Sequence, residues 1–207
     1  MSRRFLALGD SYTIGELVAE AQRWPVLLAD LLRARGLDVG APEIVAQTGW
    51  ATDELAAAIA AARLRGPYDL VSLLIGVNDQ YRGRDLREYA AGFRELLARA
   101  VDFAGGSAGR VLVLSIPDWS VTPFADGDAR GKAAIAQALD AFNAEARRQA
   151  RAAGAYWVDI TPTSRRAGGD PSLLTQDALH PSGFMYAEWA ELAFPAARAA
   201  LASTGPR

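Results

Sequence analysis

The sequence predicts an α/β fold: a three-layer α/β/α sandwich in which helices cover both faces of a parallel five-stranded sheet. Two observations predict it. Short apolar runs alternate with longer amphipathic stretches along the chain, and strands that read as continuous apolar runs belong to parallel sheets buried on both faces. The chain also has the size and composition of one globular domain, 1-207. It has 207 residues, 51% hydrophobic and 22% charged, enough for a full core. No linker or internal repeat divides it.

Phe5 to Leu8 is the first strand, and it runs into Gly9-Asp10-Ser11. Trp24 to Arg35 follows as a helix, with Val26, Leu27, Leu31 and Leu32 at helical spacing and Gly36 as its stop. Glu43 to Ala46 is a second short strand. Thr52 to Arg65 reads as a helix, capped by Thr52 or Asp53 and ended by Gly66-Pro67. Asp69 to Ile75 is the most apolar strand and ends at Gly76-Val77-Asn78-Asp79. Asp85 to Phe103 is helical and closes at Gly105-Gly106. Arg110 to Ile116 is the fourth strand, stopped by Pro117. An irregular stretch from Asp118 to Asp128 precedes a helix running to about Ala153. Tyr156 to Ile160 is the fifth strand, and a loop rich in Gly, Pro and Ser spans Thr161 to Leu174. The last helix covers Gly183 to Leu201, and Ser203 to Arg207 is expected to fray. The outline is flavodoxin-like.

Composition excludes several function classes. A net charge of −2 offers nothing to nucleic acid or an anionic membrane. Cysteine is absent, which removes disulfides, thiolate catalysis and cysteine metal sites. The single histidine, His180, cannot build a multi-histidine metal site. The longest interior apolar run, Leu70 to Val77, is far short of the ~20 residues of a membrane helix. After Met-Ser-Arg-Arg only Phe5 to Leu8 are apolar, shorter than the roughly 7–15 residues of a secretory signal. A cytoplasmic protein is therefore expected. An apolar stripe on the last helix can face the core or a partner, so oligomeric state stays open.

Ligands of open α/β sheets bind outside the carboxyl ends of the strands, and the polar, glycine-containing segments of this chain fall there. Ser11 sits where the first strand turns into a helix. It reads as a nucleophile or as a simple capping serine. A serine hydroxyl needs a base to attack, and that base needs a group to orient its ring. Asp177, three residues before His180, can fold back onto the imidazole within one turn. Asn78 can aim its amide at a developing oxyanion or merely form a turn. Gly49, after the second strand, lets a substrate approach the backbone N–H.

These blocks together, in the order serine, glycine, asparagine, histidine, resemble the SGNH hydrolases, also called the GDSL esterase/lipase family. Gly9-Asp10-Ser11-Tyr12, Gly49, Gly76-Val77-Asn78-Asp79 and Asp177-Ala178-Leu179-His180 carry the resemblance over residues 9 to 180. The resemblance implies ester hydrolysis through an acyl-enzyme, with Ser11 as nucleophile, His180 as base and Asp177 as its orienter. It assigns the Ser11 and Gly49 N–H groups and the Asn78 side chain to an oxyanion hole. Asp10 and Asp79 are read as hydrogen-bonding supports for their loops. Tyr12 stands where the family name implies leucine. No metal or organic cofactor is needed, and activity is expected to fall at acidic pH as the imidazole is protonated. Tyr12, Trp50, Tyr81, Trp119, Phe124 and Phe184 are candidates for the substrate wall, with Trp50 and Trp119 favoured by their loop positions. The expected substrate is a small ester. A thioester, a lysophospholipid and an acetylated carbohydrate use the same machinery. Arg165-Arg166 either meets an anionic substrate group or is solvated. A different class, a phosphate or flavin binder using Ser11, Tyr12, Thr13 and Gly15, leaves His180, Asp177 and Asn78 without roles.

Overall fold

The computed structural model describes residues 2–202. Strands β1 (Phe5–Gly9), β3 (Leu70–Leu74) and β4 (Val111–Leu114) are buried along their whole length. Each is nearly all apolar, so neither face can be left to solvent. Strands β2 (Glu43–Ala46) and β5 (Tyr156–Val158) are only partly covered. They form the two edges of one sheet in the order β2-β1-β3-β4-β5, with every pair parallel. Leu8 lies opposite Val45 on one side and Leu73 on the other.

Helices α2 (Trp24–Ala34) and α8 (Gly183–Ala202) pack on each other and cover one face. Trp24, Leu28 and Leu32 meet a stripe of α8 that includes Tyr186, Trp189 and Ala193, all fully buried. The apolar stripe of the last helix therefore faces the core. Helices α3 (Thr52–Ala61), α5 (Leu86–Phe103) and α6 (Lys132–Ala153) cover the other face. The chain leaves β1 for the edge strand β2, then crosses back over β1 to β3. This reversal opens a crevice at the carboxyl ends of β1 and β3. Three short helices stand around it or near it: α1 (Ser11–Ile14), α4 (Val77–Tyr81) and α7 (Thr161–Ser164).

The differences from the sequence reading lie between the strands. Helix α3 stops at Ala61, not Arg65. Leu64 packs against the core instead, and the Arg65 carbonyl accepts from Arg4 Nη1. Thr52 does not cap this helix, because its hydroxyl donates to Asp79. The 161–174 loop holds α7 and two tight 3-10 turns, Arg165–Gly168 and Pro171–Leu173. Pro162 suits the first turn of α7, and Ser164 Oγ donates to the Thr161 carbonyl at 2.7 Å. The irregular 118–128 stretch likewise holds turns at Trp119–Val121 and Pro123–Gly127. The expected fraying of residues 203–207 lies outside the described residues. Among those described, no helix is long and apolar enough to cross a membrane.

Candidate active site

Ser11 opens α1 directly after β1 and is 4% exposed. Asp10 caps that helix: its Oδ1 accepts from the Tyr12 N–H at 3.0 Å. A Cβ on Gly9 would collide with the Thr13 side chain and the Leu74 carbonyl, so only glycine lets α1 turn back this tightly. Asp10 is fully buried, and its second oxygen has no partner. Burial, reinforced by nearby Asp79, pushes its carboxyl up to about 8, against the pull of the Tyr12 N–H.

The other half of the site is a self-supporting turn. Asp177 Oδ1 accepts from Thr175 Oγ1 at 2.7 Å and from the N–H groups of Leu179 and His180, each at 3.0 Å. Its Oδ2 lies 2.6 Å from His180 Nδ1. Burial alone would raise this carboxyl. The hydrogen bonds from His180, Thr175 and Leu179 outweigh it and hold the group at about 2. Asp177 is therefore ionised at neutral pH and can only accept, so Nδ1 carries the proton and Nε2 of the neutral ring keeps its lone pair. Ala178 makes the turn at φ +56, and the Thr175 N–H closes it on the His180 carbonyl at 2.8 Å. The Tyr12 ring lies between the imidazole and Trp189, 5.7 Å from the first and 6.1 Å from the second.

Two loops complete the site. Gly49 has φ +87 with open space where a Cβ would stand, so backbone conformation selects glycine here. Its carbonyl accepts from Arg82 Nη2 at 2.6 Å. Arg82 Nη1 also reaches Glu54 at 2.9 Å. Asn78 Nδ2 donates to the Trp50 carbonyl at 2.8 Å, which orients the amide and leaves its second N–H unused. Buried Asp79 takes the Thr52 N–H at 3.0 Å, the Thr52 hydroxyl at 2.7 Å and Arg84 Nη1 at 3.2 Å. Burial raises its carboxyl despite these partners. The loops after β2 and β3 are thus tied together. Among the described residues, neither the Ser11 nor the Gly49 N–H meets a protein acceptor.

Ser11, Gly49, Asn78 and His180 line one pocket of about 190 Å³. Val77, Tyr81, Trp119, Phe124 and Leu179 form its apolar part, and Tyr12 also lines it. A wider cleft of about 690 Å³ between α2 and α8 holds none of the predicted site residues. The sequence model of the GDSL-like lipase/acylhydrolase family matches residues 7–187. The chain belongs to this family. It is similar in structure to a lipase/acylhydrolase from Enterococcus faecalis, with a TM-score of 0.70 at 21% identity, covering 93% of this chain and 94% of that one. It is similar to the psychrotrophic esterase EstA from Pseudoalteromonas sp., with a TM-score of 0.72 at 15% identity, covering 95% and 97%. An acetylxylan esterase from Geobacillus stearothermophilus gives a TM-score of 0.71 at 18% identity, covering 95% of each chain. At these identities the likeness is one of fold. No curated protein sequence matches the chain.

Not every predicted residue of this GDSL-family chain reaches the pocket. Trp50 packs partly buried against the core, and its carbonyl, not its ring, serves the site by holding Asn78. Phe184 is 74% exposed and borders a separate cleft with Leu17 and Gln22. Arg165 pairs with Asp118 and Asp140, and Arg166 with Glu188, so both arginines are committed within the fold. Of the segment offered as a phosphate loop, Thr13 is fully buried and only Ser11 and Tyr12 line the pocket. The sequence reading missed Thr175, Arg82 and Arg84. Thr175 had a local signal, a hydroxyl two residues before an aspartate. Arg82 acts across the fold, on Glu54 and the Gly49 carbonyl, and Arg84 joins nearby Asp79 to distant Asp53.

Proposed function

We propose that this protein is a serine hydrolase that cleaves small carboxylic esters through an acyl-enzyme. The observation that carries the reading is the 2.6 Å pair between Asp177 Oδ2 and His180 Nδ1, with His180 in the same pocket as Ser11, Gly49 and Asn78. Ser11 Oγ attacks the ester carbonyl carbon while His180 Nε2 takes the hydroxyl proton. Charge develops on the carbonyl oxygen, where the Ser11 and Gly49 N–H groups and the free Asn78 amide proton are the donors on hand. The tetrahedral intermediate collapses, the ester C–O bond breaks, and His180 returns the proton to the leaving alcohol. Water then attacks the acyl-Ser11 ester with the same base, releasing the acid and restoring the hydroxyl. Asp177 stays ionised and stabilises the imidazolium.

A pocket of about 190 Å³ walled by aromatic rings suits a short acyl or aryl group. The similarity to esterases and a lipase supports ester hydrolysis over a flavin or phosphate site. The test is hydrolysis of p-nitrophenyl esters from two to twelve acyl carbons by the native protein and Ser11→Ala. Turnover that disappears in Ser11→Ala, with an optimum at short chains, is expected. Turnover that persists in Ser11→Ala would remove the proposed nucleophile.

A further inference from the structure

One wall of the pocket is a set of three aromatic rings: Tyr81, Trp119 and Phe124. Tyr81 and Phe124 are 48% and 46% exposed, so the core does not hold them. Trp119 does. It is buried, and its indole N–H donates to Gln80 Oε1 at 2.9 Å. Tyr81 meets the Trp119 ring edge-on at 5.5 Å, and Phe124 does so at 6.0 Å. Outside the pocket lining, Arg130 closes the set. Its guanidinium carbon lies 5.4 Å from the Trp119 ring centre and 5.7 Å from that of Tyr81. Nη1 donates to the carbonyls of Gln80 at 3.0 Å and Tyr81 at 3.3 Å. Nε and Nη2 donate to the two oxygens of Asp128 at 2.9 and 2.7 Å. Each of the three nitrogens is thus bonded, and the planar group is fixed against two rings at once, which a lysine could not do.

We propose that Arg130 is a specificity-determining residue: it pins Tyr81 and Trp119 so that the wall stays rigid and the pocket selects a compact or flat aromatic group of the ester over a long flexible chain. The inference rests on the ester-hydrolase reading of this pocket. A flat ring meets fixed aromatic edges without loss of its own freedom. A long chain must lose rotamer freedom and displace the rings. Released from Arg130, the half-exposed Tyr81 and Phe124 are free to turn outward, which weakens ring binding and opens room for a chain.

The test compares ethyl acetate, ethyl benzoate, phenyl acetate and ethyl decanoate by proton release, in the native protein, Arg130→Ala, Arg130→Lys, Asp128→Asn and Ser11→Ala. Each variant rate is divided by the native rate for the same ester, which cancels intrinsic reactivity. In Arg130→Ala the aromatic ester is expected to lose about three- to tenfold in kcat/KM relative to ethyl acetate, through KM; this is the scale of one aromatic contact. Ethyl decanoate is expected to gain relative to ethyl acetate. Loss with ethyl benzoate puts the ring on the acyl side, and loss with phenyl acetate puts it on the alcohol side. Arg130→Lys follows Arg130→Ala, because charge without the planar fork does not pin the rings. Asp128→Asn moves the ratios the same way and replaces Arg130→Ala should that variant fail to fold by circular dichroism. Ratios within twofold of native in the folded variants overturn the inference alone. Absence of Ser11-dependent turnover on all four esters overturns the ester reading and the inference with it.

Discussion

In the proposed mechanism, Asp177 decides which nitrogen of His180 offers its lone pair to Ser11. Asp177→Asn keeps the shape but lets the ring adopt the wrong tautomer, so kcat is expected to fall by about 10⁴. Steady-state kinetics on a short p-nitrophenyl ester checks this. Asp10 gives a separate prediction for stability. Its folded carboxyl is raised to about 8 by burial, so between the ordinary carboxylate range near 3.8 and about 8 the unfolded chain binds fewer protons than the native one. Stability is then fully present at low pH in this respect and declines as pH rises through that window. Asp10→Asn keeps the acceptor for the Tyr12 N–H and should flatten the decline, measured by urea unfolding at pH 5 and pH 8. That Ser11, Gly49, Asn78 and His180 come to one pocket was legible because the loops of an open α/β sheet gather outside the carboxyl ends of its strands. Trp50 and Phe184 were not legible as non-lining residues, since nothing local to a loop aromatic tells which way its ring turns.

At the scale of elements, the site depends on how the loops after β2 and β3 are tied. Arg82 reaches from the end of α4 to the Gly49 carbonyl, and Asn78 reaches the Trp50 carbonyl. Asn78→Ala removes the proposed oxyanion donor and is expected to cost about 10²–10³ in kcat. Arg82→Ala should lower kcat less, about tenfold, with KM little changed, because it loosens the Gly49 loop without removing a donor. A fall in KM-determined binding with kcat intact would assign Arg82 to substrate binding instead. The strands were readable because apolar runs have no alternative to burial. The end of α3 was not, because the sequence up to Arg65 is helix-compatible and only the packing of Leu64 decides against it. The short α7 was hidden for the opposite reason: its Pro, Thr and Ser read as loop until the Asp118 N–H donates to Ser164 Oγ and the Thr161 N–H donates to Ser115 Oγ.

At the scale of the molecule, the proposed triad is assembled from segments far apart in the chain. Ser11 comes from the first strand end and His180 from the loop that enters α8. Tyr12, next to Ser11, packs its ring on both the His180 imidazole and Trp189 of α8. Trp189 is fully buried, and Trp189→Ala is expected to lower stability by about 3–5 kcal/mol, seen as a lower urea midpoint. The parallel sheet and its flanking layers were legible from alternating apolar and amphipathic segments, and the strand order was not. The ties of Arg82 to Glu54 and the Gly49 carbonyl were not legible either, because those partners lie far along the chain. The central claim is that Ser11 carries the acyl group. Mass spectrometry of the protein treated with an activated phosphonate ester tests it most directly. One covalent adduct on Ser11 is expected, matched by loss of esterase activity and absent from Ser11→Ala. An unmodified Ser11 in an active, phosphonate-inhibited enzyme would contradict it.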